Sequence, residues 1–396
     1  MPNLQVETPG SISRVNKTTR QRECSKEQTP RRTNRRYGRC RTGYRTSWRI
    51  SAILSLLMVL SACSHVSYYA QAARGQLEMV MNRESVAALL NDSSQKPELH
   101  VALNKAEQIR NFASHSLGLP DNKTFRYYSD VGRPYAVWNV IATPRFSLSP
   151  RTWCFPIAGC VAYKGYFAEA NARALDKSLQ DEEYDTFLYG VSAYSTLGWF
   201  SDPLLNTFIN YDELSLAGLI FHELSHQVIY VKDDSLFNEA FATAVEIEGL
   251  RQWIKHTMTE TVFQKYLDNR KKNQAITQMV LSFREQLISL YQGFHTNMTF
   301  SEKQNQKKQL FANMKSEYAD ITRSGQGTAY YDWWFTLPLN NAHLMAVATY
   351  YDLVPAFSEL IKQSENLPAF FRKVSAISEL EKEQRVRTLE SYLNGN

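Results

Sequence analysis

Cysteine is scarce and unevenly placed. Of five in 396 residues, Cys24, Cys40 and Cys63 fall within the first 63, so the rest of the chain holds only Cys154 and Cys160. Two thiols cannot by themselves make a structural zinc site, which takes four protein ligands. Apolar residues are nearly absent before Arg49, and such a stretch cannot bury a core. The apolar run that follows, ending at Cys63, is about a dozen residues long, too short to span a bilayer as a stable helix. Internal repeats are lacking. A basic surface is lacking too once the first 63 residues are set aside. They carry 13 Lys and Arg against 3 Glu, a net +10 within an overall +6. The 32 basic and 36 acidic residues that remain leave −4, which excludes nucleic acid as a partner.

Residues 49–63 read R-I-S-A-I-L-S-L-L-M-V-L-S-A-C: a basic residue, an apolar core, then small residues before a cysteine. This is a secretory signal. Its ending, L-S-A-C, resembles a lipobox, which implies a bacterial envelope lipoprotein with Cys63 lipidated at the mature N-terminus. Ser64 in the next position favours the outer membrane, facing the periplasm. The expected organisation is a basic leader or misassigned start over 1–48, a signal segment over 49–62, and one domain over 63–396. In an oxidising compartment Cys154 and Cys160 are expected to pair across the tight F-P-I-A-G loop. Closing so small a loop stabilises by roughly 2–3 kcal/mol on the entropy model.

The pattern is helical from Ser67 to about Leu117, broken at N-D-S-S-Q-K-P. F-R-Y-Y-S-D-V and Y-A-V-W-N-V-I-A-T are rich in aromatic and β-branched residues and read as strands. A helix is expected over 167–179 and a strand over 186–194, followed by S-T-L-G-W-F. From Leu214 onward the chain reads as mainly helical. The expected class is α+β, a small mixed sheet followed by helices.

Residues 222–226, His-Glu-Leu-Ser-His, lie inside the apolar run L-I-F-H-E-L-S-H-Q-V-I-Y. Four residues apart on a helix, His222 and His226 share a face and can both reach one ion. Glu223, beside the first, can act as general base on a water held there. A catalytic zinc site takes a third protein ligand and keeps an open position. Glu239, in S-L-F-N-E-A-F-A-T-A-V-E, is the candidate, with Glu246 the rival two turns further on. The short polar segment Y-V-K-D-D reads as a turn, with Asp234 or Ser235 as N-cap of a second helix. Such a helical hairpin brings Glu239 over the two histidines, and Thr243 could bond a ligand from behind.

The segment around Glu239 resembles the N-E-G-F-A segment of gluzincin aminopeptidases, whose Glu is the third zinc ligand. The gap from His226 to Glu239 is shorter here than in the larger members, and a G-x-M-E-N motif is lacking. The whole chain after residue 60 more closely resembles bacterial lipoproteins described as predicted aminopeptidases. The resemblance is carried by C-S-H-V-S-Y-Y-A-Q-A, W-C-F-P-I-A-G-C-V-A-Y-K-G-Y-F, V-S-A-Y-S-T-L-G-W-F-S-D-P-L-L and L-N-N-A-H-L-M-A-V-A-T-Y-Y-D-L-V-P-A-F. It implies a zincin-like fold, a zinc cofactor (Zn2+), a peptide substrate and attachment to a membrane through lipid. It also implies a further donor for the oxyanion, for which Tyr350, Tyr351 and His343 are candidates, Tyr350 first. In such folds the strand before the site helix lies along the substrate, here 186–194. A metal-binding scaffold lipoprotein and an endopeptidase or cell-wall hydrolase remain as alternatives.

Overall fold

The computed structural model describes residues 67–155, 159–196, 200–328, 330–351 and 353–393, apart from the side chains of residues 349–351. The basic leader, the signal segment and Cys63 lie outside the described residues. From Arg74 on, these residues belong to one compact unit, whereas residues 67–73 group apart from it. Among the described residues no helix is long and apolar enough to cross a membrane.

The class is α+β, with small sheets and a mainly helical C-terminal part. A first helix, α1 (67–81), leads into a two-residue strand β1 (Glu84–Ser85), α2 (Val86–Asn91) and α3 (Pro97–His115). The break at N-D-S-S-Q-K-P falls where expected, because Pro97 opens α3 at its first turn. The strand at Glu84 was not expected; it exists only by pairing with β2 (Tyr127–Ser129). That strand in turn runs parallel to β8 (Leu204–Leu205), just ahead of the site helix.

The second sheet has the order β6-β3-β7 and is antiparallel throughout, with β3 (Val137–Pro144) flanked by β6 (Tyr163–Tyr166) and β7 (Tyr184–Val191). Alternation along β3 buries both of its faces. Trp138, Val140 and Ala142 pack against α4 (Glu169–Asp181), while Ile141 joins Phe187 and Tyr189 on the opposite face. The cysteine segment, read from sequence as a loop, is a hairpin of β4 (Trp153–Phe155) and β5 (Gly159–Val161), with Cys154 opposite Cys160 and bonded to it. Pro156 lies outside the described residues.

The remaining chain is helical. It comprises α5 (Glu213–Ser225), α6 (Ser235–Thr257), α7 (Glu260–Gln292), α8 (Phe300–Arg323), α9 (Asp332–Thr336), α10 (Asn341–Tyr351), α11 (Val354–Lys362), α12 (Leu367–Ser378) and α13 (Lys382–Leu393). One core joins α3, α5, α6, α11 and α12. A second joins the sheet to α7, α8, α9 and α10. Helix α5 is apolar nearly all round, as a helix enclosed by others must be.

Candidate metal centre

The site is built by a helical hairpin whose geometry is fixed residue by residue. Asp212 caps α5, accepting from the backbone N–H of Leu214 and Ser215 at 3.1 Å each. The helix ends at Ser225, and His226, its C-cap, keeps helical dihedrals (φ −61°, ψ −19°). His222 and His226 therefore stay one turn apart on one face, ring centroids 4.9 Å apart.

The return is held by Asn238. Its amide accepts from the N–H of Val231 at 2.8 Å and donates to the carbonyl of the same residue at 2.7 Å. Asp234 caps α6, accepting from the N–H of Phe237, and is bound by the buried Arg385 of α13 at 2.8 and 3.1 Å. Asp233 accepts from the N–H of Cys160 at 2.5 Å, so the disulfide hairpin abuts the same turn. Close approach of the two helices needs Gly249, where a Cβ would lie 2.7 Å from the Phe221 ring and 2.9 Å from Leu117.

The result places Glu239 against both histidines. Its Oε2 lies 3.3 Å from Nε2 of His222 and 3.8 Å from Nε2 of His226. Donor atoms of His222, His226 and Glu239 all lie within 4.8 Å of one another, and this is the grouping of its kind found among the described residues. The set suits zinc: two imidazole nitrogens and a carboxylate oxygen, with Glu239 set from each imidazole at a distance close to the roughly 3.4 Å that tetrahedral ligands at about 2.1 Å from an ion would have. Glu246, the rival, is sorted by the geometry. Its Oε2 is 3.1 Å from Nδ1 of His222, the nitrogen facing away from Glu239. A carboxylate there fixes the ring and its tautomer.

Charge within the cluster is finely divided. Burial opposes the cationic form of His222, but Glu239 and Glu246, one at each ring nitrogen, outweigh it and push its pKa up to about 10. Burial pulls His226 down to about 4, so its imidazole is neutral, the ligating form. Burial alone would raise Glu239, yet His226 and the bond from His222 hold it below the usual carboxylate range. Glu223 is pushed up to about 7, first by burial, then by Glu239 and Asp202 against the pull of His222 and a hydrogen bond with Ser195.

Three tyrosines lie near enough to Glu239 to be affected by its charge, and none was singled out from the sequence. Tyr163 on β6 is raised well above the usual phenol range, by burial and then by the charge of Glu239, with Glu223 also contributing. Tyr189 on β7 is pushed up to about 12 by burial, with a bond to Asn139 opposing and Glu239 adding. Tyr230, in the turn after His226, is raised by burial and by Glu239. All three keep their protons and can donate them in hydrogen bonds. No local pattern in the sequence singles out Tyr163, whose place depends on the pairing of β6 with β3.

The other expected residues fare differently. Tyr350 lies on α10, but its side chain and that of Tyr351 are outside the described residues. His343 is a packing residue of the second core. Its ring lies 4.2 Å from that of Phe187, its Nδ1 is 2.8 Å from the Asn340 amide oxygen, and burial lowers its pKa to about 3. Among the described residues, strand β7 lies at the edge of its sheet, paired with β3. Thr196 beyond it donates to Asp202 at 2.7 Å, and residues 197–199 lie outside the described residues.

A cavity of about 570 Å³ opens beside the cluster, lined by His222 and Glu223 on one side and by α7 and α11 on the others. That volume is ordinary for a site taking a small molecule or short peptide. No curated protein and no solved structure matches the chain. Residues 67–389 match the family described as "Putative aminopeptidase", and the chain belongs to that family.

Proposed function

We propose that this chain is a zinc-dependent peptidase of zincin type, with His222, His226 and Glu239 as the ligands. The observation that carries the reading is the convergence of those three donor atoms within 4.8 Å, with Glu223 one residue along from His222 at the wall of an open cavity. Zinc held by these residues would supply a Lewis acid and lower the pKa of the attacking water. Glu223 takes the proton of that water as it attacks a peptide carbonyl and delivers it to the departing amine. Tyr163 donates a hydrogen bond to the carbonyl oxygen as charge builds on it. Glu246 keeps His222 oriented through Nδ1, leaving Nε2 as the donor. The family description favours removal of N-terminal residues from peptides. Attachment to the envelope membrane through lipid on Cys63 belongs to the same proposal, and an unmodified Cys63 in the mass of the membrane-bound protein would reject it.

The test is a digest of a peptide library by the wild-type chain and by Glu223→Gln. The substitution removes a base and no ligand, so zinc stays and hydrolysis falls by at least about a hundredfold. Cleavage at equal rates by both would overturn the peptidase mechanism and leave a metal-binding scaffold as the reading.

A further inference from the structure

The cavity beside the proposed peptidase site, walled by His222, Glu223 and Glu246 but not by His226 or Glu239, holds a cation that no described carboxylate engages. Helix α7 forms the wall that faces α5, and Tyr266, Arg270, Asn273, Gln274 and Thr277 line the cavity in one stripe, three or four residues apart. Tyr266 is bonded to α6, and two more of them are tied down. The Asn273 amide oxygen accepts from the Thr328 hydroxyl, and the Thr277 hydroxyl is 2.6 Å from that of Tyr331. Arg270 and Gln274, one turn apart, have no such partner among the described residues. The other acidic groups of the cavity are already engaged. Glu246 is on His222 and Glu359 is on Lys362 at 2.9 Å.

Arg270 lies on the wall of the cavity that His222 and Glu246 also line. Tyr266, one turn before it, reaches the carbonyl of Ile247 on α6 at 3.4 Å, beside Glu246. The Tyr266 hydroxyl feels both Arg270 and Glu246, and Glu246 touches His222. The route from metal ligand to guanidinium thus runs through two side chains along the cavity wall. An arginine presents a planar fork of N–H donors matched to a carboxylate, and it is more weakly hydrated than an ammonium, so it gives up water to a ligand readily. The apolar floor, with Leu214, Leu219, Ile247 and Val354, suits the side chains in between.

We propose that Arg270, assisted by Gln274, binds a carboxylate of the substrate, and that the enzyme acts on short peptides whose carboxylate reaches α7 while the scissile bond lies at His222 and Glu223. This rests on the peptidase reading for the bond cleaved, but the carboxylate site can be tested apart from turnover. The carboxylate could be the C-terminus or an acidic side chain, and the test separates them.

Binding of trialanine, trialanine amide and an amidated tripeptide ending in glutamate is measured by calorimetry on the zinc-loaded Glu223→Gln chain, with and without Arg270→Gln. Hydrolysis of the same three peptides is followed with wild type and with R270Q alone. A charged hydrogen-bonded pair of this kind contributes about tenfold to a hundredfold. Trialanine should bind that much more tightly than its amide, and R270Q should bring the two together by raising the Kd and KM of the acid, with zinc content kept. Recovery of affinity by the glutamate amide would assign the site to side-chain carboxylates instead of the C-terminus. Equal binding of acid and amide, or a preference that survives R270Q, would overturn the proposal. Discrimination in binding without hydrolysis by wild type would retain the Arg270 site and reject the peptidase reading.

Discussion

At the scale of single residues, the site divides into what a helix repeats and what a fold assembles. His222, Glu223 and His226 were legible because a four-residue spacing on an apolar helix dictates a common face. Glu239 was legible because a short polar turn and a good N-cap announce a hairpin. Glu246 could not be separated from Glu239 by spacing alone, since both lie on one face of α6; only the crossing of the helices assigns them to different nitrogens of His222. Tyr163 was not legible at all. Its place follows from the register of β6 on β3, where it stands opposite Ile141, and that pairing is a long-range fact. In a chain with 22 tyrosines, composition cannot choose among them. Removing a donor that acts only on developing charge lowers kcat by about a hundredfold to a thousandfold. Tyr163→Phe should therefore lose kcat by that factor in steady-state assays and change KM little; an unchanged kcat would remove Tyr163 from the chemistry.

At the scale of elements, β3, β7, α4 and the α5–α6 hairpin followed from periodicity, while β1 and the β4–β5 hairpin did not. Strands of two or three residues have too little pattern of their own and exist because a partner is present. The α5–α6 crossing depends on Gly249. Replacing it by Ala gains about 1 kcal/mol of helix preference. Against that, overpacking a dense core costs about 1–3 kcal/mol. Both Phe221 and Leu117, the side chains a Cβ would strike, are fully buried, so neither has room to retreat. Gly249→Ala should lower the free energy of unfolding by up to about 2 kcal/mol, read from the denaturant midpoint. A raised midpoint would show that the crossing is looser than the geometry here requires.

At the scale of the molecule, an α+β layout was legible from strands followed by a long helical run, but the partition into three packed clusters was not. The sheet is buried on both faces, so α4 and α10 approach β3 from opposite sides, and nothing in the local sequence says which helix takes which face. The α5–α6 hairpin, itself part of the first core, is fastened from three directions, by Asn238, by the hairpin of Cys154 and Cys160, and by Arg385 of α13. That investment in one turn is understandable if the turn must hold three ligands in register, because a site is only as well placed as the groups that support it. The most direct measurement is therefore zinc bound per chain, by elemental analysis of the purified protein from residue 64 onward, for wild type and for His226→Ala. The account predicts about one zinc per wild-type chain and loss of most of it in the variant; full occupancy after His226 is gone would contradict it.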